Sequence, residues 1–120
     1  MRGALAGLAG AGQNAAMSDA PFVPVAAAEA LPDGGTLAVS VGARQILLCH
    51  DEGRIFAIEN LCSHAESPLE CGRVRRGVIV CPAHGARFDL ATGEPVGPPA
   101  TMPIRTFALR VIDGTIEVAA

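Results

Sequence analysis

The chain has no tryptophan, no tyrosine and no lysine, and its only aromatic side chains are four phenylalanines. Without lysine, all nine basic residues are arginine, and twelve acidic residues set the net charge at −3. That balance argues against a nucleic-acid partner, because phosphate backbones select a basic stripe. The one basic cluster, Arg73, Arg75 and Arg76, reads as a solvated turn. Enrichment in Arg, Ala and Gly with no Lys reads as coding bias and carries no functional meaning. No apolar run reaches the ~18–20 residues that cross a bilayer, so no membrane span is expected. Helical periodicity of useful length is missing as well, and so is any internal repeat.

What remains is one domain's worth of chain. At 120 residues, half of them apolar, the protein can build a single core. Folding at that size buries about two-thirds of the unfolded surface. The first residues, MRGALAGLAGAGQNAAM, faintly resemble a signal peptide, but glycines interrupt a weak apolar centre. Gly10-Ala11-Gly12-Gln13-Asn14-Ala15 fits the glycine fingerprint of dinucleotide sites, yet no strand precedes it and no βαβ unit surrounds it. Residues 1–20 are expected to be a disordered leader or an over-extended start, with translation beginning at Met17, and residues 21–120 the folded domain.

From Phe22 onward the texture is all-β, with short apolar runs between turn signals. Strands are expected at Phe22 to Ala26, Thr36 to Val41, Arg44 to His50, Ile55 to Glu59, Gly72 to Arg75, Val78 to Val80 and Arg87 to Leu90. A last hairpin, Ile104 to Ile112 and Thr115 to Val118, turns at Asp113-Gly114, and Arg76-Gly77 marks another. Residues 95–103, PVGPPATMP, hold four prolines and cannot be a central strand.

Four residues stand just past strand ends. Cys62-Ser63-His64 follows the strand ending near Glu59, and Cys81-Pro82-Ala83-His84 follows the one ending at Val80. The set is Cys-x-His, sixteen residues, then Cys-x-x-His. Two such loops can meet at one end of a sheet, where sites are usually built. Each half supplies a soft thiolate and an imidazole, which suits zinc or iron. A tetrahedral zinc could take all four, and so could a 2Fe–2S cluster with two cysteines on one iron and two histidines on the other. Structural zinc sites usually pair like with like, whereas mixed halves suit two loops that each give one ligand to each iron. Gly85 and the prolines at 82, 98 and 99 suit loops packed around a bulky inorganic core.

The motif CSH…CPAHGARFD resembles the ligand signature of the Rieske iron–sulfur proteins, and the similarity runs from about Phe22 to Val118. The resemblance implies an antiparallel β-sandwich with a cluster-binding subdomain of two ligand loops and a proline-rich covering loop. It implies one 2Fe–2S cluster, with Cys62 and Cys81 on the inner iron and His64 and His84 on the outer. The remaining Cys49, Cys71 and His50 have plainer readings. Cys49 is expected in or near the core, Cys71 in the loop between the motifs as an oxidation-prone thiol, and His50 at a strand end in water.

Absences narrow the resemblance further. Respiratory-chain members carry an extra cysteine in each motif and join them as a disulfide; the matching positions here are Ser67 and Ala83. They also carry Ser and Tyr hydroxyls that bond the cluster sulfurs, where this chain has Ala86 and Phe88. Losing such donors implies a low potential within the family. The large oxygenases of the family hold a second iron with two histidines and a carboxylate, and His50 alone cannot complete that set. The resemblance therefore implies a cytoplasmic electron carrier, not an enzyme. Its partners would be a flavin-dependent ferredoxin reductase upstream and a terminal aromatic-ring-hydroxylating oxygenase downstream, with neither nucleic acid nor membrane involved. The alternatives are a Rieske-like small subunit of a larger redox enzyme such as nitrite reductase, and a Cys2His2 zinc-binding interaction module.

Overall fold

A computed structural model describes residues 21–62, 68–70, 72–82, 85–97 and 101–120, and the expected leader at 1–20 lies outside them. The described chain is all-β, with ten strands and a single 3-10 turn at Ala28–Ala30. The strands are β1 Phe22–Ala27, β2 Thr36–Val41, β3 Arg44–Asp51, β4 Arg54–Glu59 and β5 Arg73–Arg75. They continue as β6 Val78–Val80, β7 Arg87–Asp89, β8 Pro95–Gly97, β9 Thr106–Ile112 and β10 Thr115–Ala119.

Two antiparallel sheets result. The larger runs β1-β10-β9-β4-β3-β2 and the smaller runs β5-β6-β7-β8. Among the described residues, two pairs join β4 to β9, Ala57↔Phe107 and Ile58↔Thr106. The larger sheet therefore folds at this narrow seam, and its two halves face each other as a sandwich. Between them lie Leu31, Ile46, Leu48, Ala57, Phe107, Ile116 and Val118.

Strand β3 explains how a second core forms. Ile46, Leu47, Leu48 and Cys49 are consecutive and all fully buried, because both faces of the strand are covered. Ile46 and Leu48 face the sandwich interior, while Leu47 and Cys49, with Ile58 of β4, face the small sheet. The β3–β4 hairpin is thus a wall shared by both cores.

Besides the shared apolar core, a polar contact holds the small sheet to that wall. The buried Asp51 carboxylate, at the end of β3, accepts a hydrogen bond from the Gly77 backbone N–H. Gly77 sits in the two-residue turn between β5 and β6, where Arg76 has φ 53° and Gly77 φ 78°. Both values are left-handed, the geometry that matches strand twist in a tight hairpin. The Gly77 carbonyl in turn accepts from Leu90 N–H at 2.8 Å.

Several boundaries differ from the sequence expectation. Ile104 precedes β9, its N–H bonded to the Gly93 carbonyl at 2.9 Å and its side chain in the second core. Pro95–Gly97 does form a strand, but at the sheet edge, where proline's missing N–H costs nothing. His50 is not in open water. Its Nδ1 lies 2.8 Å from the Leu31 carbonyl oxygen, because the segment after the 3-10 turn folds back over the strand end.

Candidate metal centre

The first ligand loop leaves β4 at Glu59. Asn60, buried at its root, holds both ends: its N–H donates to the Gln45 carbonyl at 3.0 Å, and its Oδ1 accepts from Leu69 N–H at 2.8 Å. Its Nδ2 also donates to Glu70 Oε1 at 3.0 Å. Beyond Leu69, Gly72 N–H donates to the Leu69 carbonyl at 2.8 Å, and the chain enters β5. One asparagine therefore ties the outgoing and returning arms of the loop together.

The second loop is closed by its own backbone. Cys81 N–H donates to the Ala86 carbonyl at 2.7 Å, and Gly85 N–H to the Cys81 carbonyl at 3.0 Å. These bonds extend the β6–β7 pairing by one step and leave a tight loop between Cys81 and Ala86. A third segment follows β7. Asp89 Oδ1 accepts from Ala91 and Thr92 N–H at 2.8 and 3.0 Å, and Gly93 then bonds across to Ile104.

Cys62 is fully buried and Cys81 is 1% exposed. Both belong to one cluster with Leu69, Ile79, Ala86, Phe88, Leu90 and Ile104. Two thiols on loops nineteen residues apart in sequence thus end in a single apolar core. Cys49 is in the same cluster, but burial first, and then the Asp51 carboxylate, push its thiol up to about 12. At neutral pH it stays protonated and packs as a core side chain.

His64, His84, Cys71, Ser67, Ala83 and the Pro98-Pro99 pair lie outside the described residues. Among the described residues no three His, Cys, Asp or Glu side chains gather at one point. The donor chemistry nevertheless fits a sulfur-ligated metal group. One buried thiol per loop enters a common water-poor core, and the sequence supplies one imidazole two or three residues further along each loop. Ala86 and Phe88, both fully buried beside Cys81, bring no hydroxyl into that core.

Asn60 and Asp51 were not legible as parts of the site. Their only sequence signal is a short polar side chain at the end of an apolar strand, where it can bond to nearby backbone. His50 belongs elsewhere, since it turns toward Leu31 and lies 3.8 Å from Asp33 by its Nε2.

Comparison with known proteins agrees with this geometry. The model of the Rieske 2Fe–2S domain matches residues 21–108. The ferredoxin component of the naphthalene 1,2-dioxygenase/salicylate 5-hydroxylase systems of a Ralstonia species is 32% identical over 90 residues, covering 75% of this chain and 86% of that one. Among solved structures, the ferredoxin of carbazole 1,9a-dioxygenase from Nocardioides aromaticivorans superimposes with TM-score 0.78 at 36% identity, covering 82% of this chain and 96% of that one. A chain from a complex of reduced oxygenase and oxidized ferredoxin in carbazole 1,9a-dioxygenase matches with TM-score 0.77 at 32% identity, covering 82% and 92%.

Proposed function

This chain belongs to the Rieske 2Fe–2S domain family, and from that premise we propose that it is the ferredoxin of a multicomponent aromatic-ring-hydroxylating oxygenase. In this reading it carries single electrons in the cytoplasm, from a flavin-dependent reductase to a terminal oxygenase, and transforms no substrate itself. Its relatives over most of their length are ferredoxin components of dioxygenase systems. The observation that carries the reading is the convergence of Cys62 and Cys81, from separate loops, in one apolar core.

Cys62 and Cys81 would hold the inner iron, and His64 and His84 the outer. Bound there, a 2Fe–2S cluster supplies a one-electron couple. The protein's own residues do the rest. Leu69, Ile79, Phe88 and Ile104 exclude water around the thiolates. Asn60 and the Cys81–Ala86 backbone pair fix the two loops, so that little reorganises when charge changes. Ala86 and Phe88 offer no hydroxyl to sulfur, which keeps the reduced state less stabilised and the potential low in the family range. In this reading His64 and His84 would serve as the electron portal.

Reconstitution tests this. Hydroxylated product should form only when reductase, this protein and oxygenase are all present. Equal product without this protein, or none with it, would reject the assignment.

A further inference from the structure

The arginines that looked like a solvated turn gain a fourth member and a common direction in the fold. Register sets Arg73 beside Val80, Val80 beside Arg87, and Arg87 beside Gly97. The next outward row is Arg75, Val78 and Asp89. Between these rows Val74, Ile79 and Phe88 point the other way, into the core that holds the cysteines. Directly opposed residues in antiparallel strands share a face. Arg73, Arg75 and Arg87 therefore stand on one outward face around Val78 and Val80, with Arg76 at its rim.

All four arginines are exposed, and among the described residues none is in an ion pair. Others in the chain are differently used: Arg44, Arg54 and Arg110 lie over the rings of Phe107, Phe56 and Phe22 at 5.6, 5.3 and 4.3 Å. The one carboxylate in the two outward rows, Asp89, is occupied by two backbone N–H groups. Arg87 is also given room. Its guanidinium lies where a side chain at position 97 would be, so Gly97 leaves the charge laid along the face. A chain of net charge −3 thus concentrates uncommitted positive charge on the sheet that carries a ligand loop.

We propose that this face docks the acidic surface of the flavin-dependent electron donor. The proposal rests on the carrier reading above and adds to it which partner binds here, and by what chemistry. The choice of donor follows from charge. Val80 and Arg87 flank the Cys81–Ala86 loop, so an electron arriving behind that loop lowers the positive potential of the face. An acidic donor meets the carrier in its oxidised, more attractive form and is released once the electron has passed. An acidic acceptor would meet the form it binds least. In the step itself one electron leaves the reduced flavin of the donor and enters this protein, oxidising the first and reducing the second, with no bond changed. Two half-buried valines among arginines suit a small, transient contact.

The test uses the loaded protein and the purified flavin-dependent reductase of its own oxygenase system. Association of the oxidised protein is followed by stopped flow and affinity by calorimetry, at low and high salt. Wild type should associate more slowly as salt rises. Arg73→Gln with Arg87→Gln should slow low-salt association roughly tenfold and flatten the salt dependence. Ala38→Glu with Ser40→Glu, on exposed positions of β2, changes net charge equally and should leave both readouts unchanged. Wild-type association indifferent to salt, an unaltered arginine variant, or an equal loss in the β2 variant would each overturn the proposal. So would tighter binding to a DNA duplex or to phosphatidylserine vesicles than to the reductase. A wild type that accepts no electron from the reductase would reject the carrier reading itself, whereas normal reduction unaffected by the arginines would reject only the face.

Discussion

The side-chain oxygen of Asn60 accepts a hydrogen bond from the backbone N–H of Leu69, 2.8 Å away and buried. The bond closes the first ligand loop at its base, between the residue two before Cys62 and the start of the return arm. Asn60→Ala should destabilise the protein by about 1–3 kcal/mol, because the Leu69 N–H would remain buried without an acceptor. The same variant should lose its iron faster to a chelator, since the loop carrying Cys62 is no longer tied. Urea unfolding and chelator kinetics measure the two effects; a wild-type rate of iron loss would show that Asn60 does not hold the loop.

Cys49 gives the fold an alkaline limit. Burial raises its thiol from the ordinary 9.0 to about 12. Below about pH 9 both folded and unfolded thiols are protonated, and the favourable burial is fully present. Between 9 and 12 the unfolded chain loses a proton that the folded chain keeps, so stability falls as pH rises, by up to about 1.4 kcal/mol per pH unit. Cys49→Ala should flatten that limb relative to wild type in denaturant titrations at successive pH values. Parallel curves would mean that Cys49 does not set it.

Gly53 and Gly93 share a left-handed backbone, φ 80° and 79°, but not the same surroundings. A Cβ on Gly53 would meet nothing within 4 Å, whereas one on Gly93 would run into the Ile104 carbonyl. Gly53→Ala should cost about 1–2 kcal/mol, the penalty of the conformation alone. Gly93→Ala should cost at least about 1–3 kcal/mol more, because backbone must move. It should also disturb the visible spectrum, since Ile104 packs in the cysteine core. Equal unfolding midpoints for the two variants would contradict this.

Ala86 is fully buried in the cluster that holds Cys81, and its carbonyl takes the Cys81 N–H. Ala86→Ser adds a donor in that apolar space. The variant should have a higher midpoint potential by voltammetry, because a hydrogen bond to sulfur favours the reduced state. An unchanged or lower potential would count against the low-potential reading of this position.

Local signals made most of the scaffold legible. The two-residue turns at Glu52-Gly53, Arg76-Gly77 and Asp113-Gly114 are where an X-Gly pair between apolar runs locates them. Arg44 to His50 reads as a strand, and Cys62 and Cys81 read as halves of one pattern. Long-range register was not legible. Nothing local says that Arg73 and Arg87 share a face, or that Asp51 reaches Gly77 twenty-six residues on. The same holds for His50, a strand end that looks solvent-exposed until Leu31 folds across it.

Nitrogen hyperfine spectroscopy on the reduced protein, with iron and sulfide quantified, tests the ligand set most directly. Two iron and two sulfide per chain are expected, with coupling to two imidazole nitrogens that disappears in His64→Ala and His84→Ala and is retained in His50→Ala. A colourless protein with one bound zinc, or coupling that survives loss of His64 and His84, would contradict it.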